Sequence, residues 1–152
     1  MKIIDTKAYL DAVCEIAQTG NPVSTIVSGS SMAPFLASNR DYVFLEVPSR
    51  PLKKGDIVLF QRTNGNYILH RIKKVTSEGY YIVGDRQTKC EGPVPETSIR
   101  CVVTSAKRKD KLITPENFSW KFYEKVWINL IFLRPAFFSL MKIFRKKHKN
   151  HN

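Results

Sequence analysis

Between Ser24 and Ser105 the chain is cut into six short runs rich in β-branched and aromatic residues: 25–27, 42–47, 56–62, 66–75, 80–83 and 99–105. Gly, Pro, Asn or Ser bounds each of them. Runs this short, punctuated by turn formers, predict strands of a compact, mostly antiparallel β domain over residues 24–106. Asn64-Gly65, between Asp56–Arg62 and Asn66–Val75, is a strong hairpin signal, because both residues tolerate the positive φ of a type I′ turn. A two-residue loop there would set His70 across from Leu59.

The flanks read differently. In residues 1–23, Tyr9, Leu10, Val13, Ile16 and Ala17 recur at helical spacing, Asp5 or Thr6 supplies a cap, and Gly20 with Pro22 ends the helix. Asp5, Asp11 and Glu15 fall where the apolar core of a secretory signal would run, which argues against export by that route. Beyond the strands, Thr114-Pro115-Glu116 predicts a helix start with Thr114 as cap. An apolar run from Val126 to Phe144 then leads into a basic end. The expected class is therefore mainly β (α+β), with an N-terminal helix and a helical appendage over 107–152.

Composition bounds the function. With 43% apolar residues in 152 the chain can bury an ordinary core, which excludes wholesale disorder. The net charge of +12 suggests nucleic acid, but residues 1–106 carry 13 basic and 10 acidic side chains, against 12 and 3 in residues 107–152. The excess therefore belongs to the appendage. Cys14, Cys90 and Cys101 are far apart, lack metal-ligand spacing and are odd in number, so they read as reduced cysteines; no metal or cofactor is expected.

Chemistry concentrates at three places. Ser28-Gly29-Ser30-Ser31-Met32-Ala33-Pro34 forms a tight turn after a strand and leaves a hydroxyl exposed. A serine needs an adjacent base, and His70 is the one histidine before the appendage. Strand alternation sets it on a face with Ile68 and Ile72, where a polar ring needs a partner or water. Asp85, in the Gly84-Asp85-Arg86 turn, is placed to accept from His70 and fix its tautomer, or else to pair with Arg86. Taken singly, a Ser-rich loop, a buried structural histidine and a turn aspartate each explain these residues without catalysis.

Their order adds weight. SGSSMAPFL, KKGDIVLFQR, ILHRIKKV and VGDR resemble, in succession, the boxes of signal peptidase I and its relatives, a superfamily that includes the self-cleaving SOS-response repressors. The resemblance covers roughly residues 24 to 105. It implies a serine endopeptidase that processes a precursor peptide or preprotein, with Ser31 as nucleophile, His70 as base and Asp85 assisting. The Ser31 N–H, helped by the hydroxyl of Ser28 or Ser30, would hold the oxyanion, with Met32 beside the substrate. Histidine in place of the commoner lysine is similar to the endoplasmic-reticulum and archaeal type, although Arg86 stands where that type has asparagine. Imidazole titrates near 6.5 without help, whereas lysine must be desolvated from about 10.4. A base of ordinary pKa would thus put the acidic limb of the rate profile close to neutrality.

Two alternatives come from other classes. One is a self-cleaving or non-catalytic regulator, against which stand the shortness of the leading helix and the lack of an Ala-Gly or Cys-Gly site before Ser31. The other is a basic module binding a membrane or nucleic acid through Lys142, Arg145, Lys146, Lys147 and Lys149. No RNA-reading motif accompanies that cluster, and the neighbouring Phe137, Phe138, Leu140, Met141, Ile143 and Phe144 suit a membrane surface. As one helix, Val126–Phe144 would be about 28 Å long, just enough to span. Its eleven Val, Ile, Leu and Phe residues favour insertion by about 3 to 7 kcal/mol. Arg134 near the middle takes back about 2.5 to 3.5 kcal/mol, and polar neighbours take more. The balance is close to zero, so orientation decides: a basic end held inside would force residues 1–125 across the membrane without a signal sequence. The expectation is therefore a helix pair, broken at Arg134-Pro135, lying on the membrane through residues 115–149, with Trp120, Tyr123 and Trp127 at headgroup level and the active site cytoplasmic. A span with an extracytoplasmic site is the alternative.

Overall fold

The computed structural model describes residues 5–149. Helix α1 (Thr6–Gln18) is capped by Asp5, whose carboxylate accepts from the Lys7 N–H at 3.0 Å. It ends at Gly20, which takes the left-handed φ of +85° that closes a helix C-terminus. Val13, Cys14 and Ala17 form its buried face, while Tyr9 and Ile16 are exposed.

Eight strands follow: β1 (Val23–Ile26), β2 (Tyr42–Glu46), β3 (Ile57–Gln61), β4 (Tyr67–Thr76), β5 (Gly79–Val83), β6 (Glu91–Val94), β7 (Ile99–Arg108) and β8 (Lys111–Ile113). They make one antiparallel sheet in the order β1-β2-β7-β3-β4-β5-β6, with β8 added to β7. Register breaks interrupt four of the pairings, at Phe44/Leu45, Leu59/Phe60, Ile72/Lys74 and Tyr80/Ile82. Breaks of this kind increase local twist and let one sheet curl around two cores. Ile57, Leu59, Cys101 and Val103 face the cluster that takes in α1, while Val58, Phe60, Ile72 and Val102 face the other. Central β3 is thus buried on both sides, which is why it reads as an unbroken apolar run.

Several expectations change here. The β3–β4 hairpin has a three-residue loop, Thr63-Asn64-Gly65. The Arg62 N–H donates to the Asn66 carbonyl, the Gly65 N–H donates to the Arg62 carbonyl, and Gly65 sits at φ +89°. The loop is a turn closed by one left-handed glycine, so His70 pairs with Val58 rather than Leu59. Two strands had no signal. Strand β6 contains Gly92-Pro93, tolerated because the strand lies at a sheet edge. Strand β8 closes on β7 through Lys109 and Asp110, both at positive φ, and carries the sheet past residue 106.

Helix α2 (Phe118–Lys125) starts after Asn117, three residues beyond the expected cap at Thr114, because Asn117 Oδ1 accepts from the Thr114 N–H at 2.7 Å and holds that stretch as a turn. The apolar run is not one helix. Two 3-10 turns, Trp127–Asn129 and Ile131–Leu133, precede α3 (Arg134–Lys149). Trp120 and Trp127 are buried, not at a membrane surface, and Tyr123 packs on Phe35 with ring centroids 4.9 Å apart. Among the described residues no single helix is long and apolar enough to cross a membrane.

Candidate active site

Ser31 sits in the loop between β1 and β2. Both loop ends are fixed: the Val27 N–H donates to the Asp41 carbonyl and the Asn39 N–H to the Val27 carbonyl, each at 2.8 Å. The Asp41 carboxylate is fully buried and accepts from Ala37 N–H, Arg40 and Lys109 N–H, which ties the loop to the β7–β8 turn. Such a loop holds a side chain with little freedom, which a nucleophile requires. The Ser31 carbonyl in turn accepts from the Arg86 N–H at 2.9 Å, so the turn after β5 meets the Ser31 peptide itself.

His70 comes from the middle of β4, and its Nε2 lies 3.0 Å from Ser31 Oγ. The ring is 4% exposed and packs beside Phe60 on the face shared with Val58 and Ile72. Burial pushes its pKa down to about 4. The Glu91 and Asp85 carboxylates act weakly upward and the Arg62 cation downward. The imidazole is therefore neutral at pH 7 and free to accept a proton.

Gly84 explains how the two groups come so close. A methyl group on it would lie 2.5 Å from the Ser31 carbonyl oxygen and 3.1 Å from His70 Nε2. Only glycine lets the turn pass between the serine loop and the imidazole.

Asp85 does not play its expected part. Its carboxylate takes two hydrogen bonds from the Arg71 guanidinium, both at 2.9 Å, and both residues are fully buried. His70 and Arg71 alternate on β4, so a carboxylate committed to the arginine face cannot also serve the imidazole. Among the described residues His70 Nδ1 has no hydrogen-bond partner. Arg86, the other expected partner, lies over the Phe138 ring instead, 5.0 Å from its centroid. Met32 is corrected as well. Its side chain is buried in the α1-side core, because the turn after Ser31 points it inward, and it cannot touch a substrate. Ser28 and Ser30 are exposed on the same loop, and neither hydroxyl bonds to Ser31 or His70.

Two supporting residues lay in the supposed membrane segment. Trp127 Nε1 donates to the Asp85 carbonyl at 2.8 Å. Arg134, fully buried, donates to the Gly84, Gln87 and Trp127 carbonyls. The appendage thus braces the turn that touches Ser31 and His70. A charged residue inside an apolar run was the available signal, and it reads equally well as a cost of insertion.

Among the described residues no three His, Cys, Asp or Glu side chains converge as a metal site. No family model matches the chain, and comparison with curated proteins and with solved structures returned no significant match.

Proposed function

We propose that the protein is a serine endopeptidase of the signal peptidase I type, working through a Ser31–His70 dyad. The observation that carries the reading is the 3.0 Å contact between Ser31 Oγ and a neutral, buried imidazole, across 39 residues of sequence. In the reaction, Nε2 takes the Oγ proton as Oγ attacks a peptide carbonyl, and the imidazolium then returns it to the departing amine. Water, deprotonated by the same nitrogen, releases the acyl group. A main-chain N–H at Ser31 would stabilise the oxyanion, a donor worth about 3 to 4 kcal/mol in other proteases. The eight-stranded sheet is read as a form of that family's β fold. Support comes from the meeting of three resembling boxes, around Ser31, His70 and Gly84, at one point in space.

Incubating the purified chain with precursor peptides and sequencing the products tests this. Cleavage that disappears in Ser31→Ala, with an unchanged melting curve, is the expected outcome. Cleavage persisting at the parent rate in that variant rules the assignment out.

A further inference from the structure

After its first turn, α3 leaves the body. Arg134 roots it in the Gly84–Gln87 turn, and Phe137 and Phe138 lie against Trp127 with centroids 5.1 and 6.2 Å away. From Ser139 to Lys149 every residue is exposed, a free extension of about 16 Å. Helical geometry gathers Phe137, Leu140, Met141, Ile143 and Phe144 on one broad arc, with Leu140 55% and Phe144 65% exposed. Lys142, Arg145, Lys146 and Lys149 fall on the opposite side. The helix has no carboxylate at all.

We propose that α3 docks lengthwise on an anionic lipid surface, its apolar arc entering the acyl boundary and its cations meeting the headgroups. Charge and placement select this occupant. Lys147 falls within the apolar arc at the helix end. A long lysine there can extend its ammonium to headgroups, whereas in a seam between two copies of α3 it would meet no carboxylate to pair with. Spanning is disfavoured by packing. The helical segments before and after Leu130 meet at 83°, and the first is held in the body by Trp120, Trp127 and Ile128, so only the second is open to lipid.

Co-sedimentation of the full chain with vesicles tests this. Phosphatidylcholine vesicles containing roughly a third phosphatidylglycerol should bind at least about tenfold more tightly than phosphatidylcholine alone, with affinity falling as salt rises. Leu140→Ser with Phe144→Ser, which leaves the charge unchanged, should weaken binding at least about tenfold while leaving the melting curve unchanged, since both side chains are exposed. Lys146→Gln with Lys147→Gln should weaken binding severalfold and flatten its salt dependence. Three results would overturn the proposal. The first is no binding to anionic vesicles. The second is undiminished binding by the double serine variant, which would mean simple polycation attraction, shared with RNA. The third is a concentration-dependent dimer in sedimentation analysis that the same variant abolishes, which would make a second copy the occupant.

Discussion

In the proposed dyad His70 has an unpartnered Nδ1, which constrains the chemistry. For Nε2 to accept from Ser31, the proton must sit on Nδ1, yet among the described residues no acceptor favours that tautomer. A base with pKa about 4 is also weak, so slow turnover is expected, with a broad pH range. The acidic limb of kcat/KM should fall near pH 4, not near 6.5, and activity should be level from about pH 5 to the onset of alkaline effects. A limb at 6 to 7 would show that His70 is solvated in solution. Asp85 separates a structural from a catalytic role. Asp85→Asn leaves the buried Arg71 without its counter-charge, which costs roughly 3 to 5 kcal/mol, so stability and activity should fall together. Adding Arg71→Met should recover most of the stability. An Asp85→Asn protein that melts normally but is inactive would restore the triad expectation.

Between elements, the decisive feature is the turn after β5, held by Arg134 from one side and touching Ser31 and His70 on the other. Gly84→Ala must displace either the Ser31 peptide or the imidazole, and lowering kcat/KM by at least about tenfold with a modest change in melting is the expected result. Arg134→Met strips donors from three carbonyls and should cost on the order of 3 kcal/mol by urea unfolding, with activity lost at the same time. Those two residues mark where sequence reasoning stops. Runs of Val, Ile, Tyr and Phe were enough to locate six of the eight strands, and the resemblance of the successive boxes around Ser31, His70 and Gly84-Asp85 was what suggested one site. The face that Asp85 serves was not legible, because it depends on a turn passing between the serine loop and strand β4. Nor was the role of Arg134, because buried and lipid-exposed apolar segments have the same composition. The hairpin register slipped by one residue for a related reason: Asn-Gly fits both a two-residue loop and the end of a three-residue one.

For the molecule as a whole, burying His70 neutral ties stability to pH. The folded pKa of about 4 lies below the unfolded value near 6.5, so between them the unfolded chain binds the extra proton. Stability is then complete above about pH 6.5 and declines as pH falls toward 4. The carboxylates enter later. Burial pushes Asp41 up, but hydrogen bonds from Arg40, Ala37 and Lys109 outweigh it, and Arg62 holds Glu91 low, so both remain charged until more acidic conditions. From pH 6.5 to 4.5 the histidine therefore dominates, at about 1.4 kcal/mol per pH unit and roughly 2 to 3 kcal/mol in total. Urea unfolding of the native chain at pH 7 and 4.5 should show that loss, and His70→Gln should remove most of it. Because Gln neither titrates here nor differs much in size, equal pH dependence in the two proteins would mean that the imidazole is not held neutral by burial, and the low base pKa would fall with it.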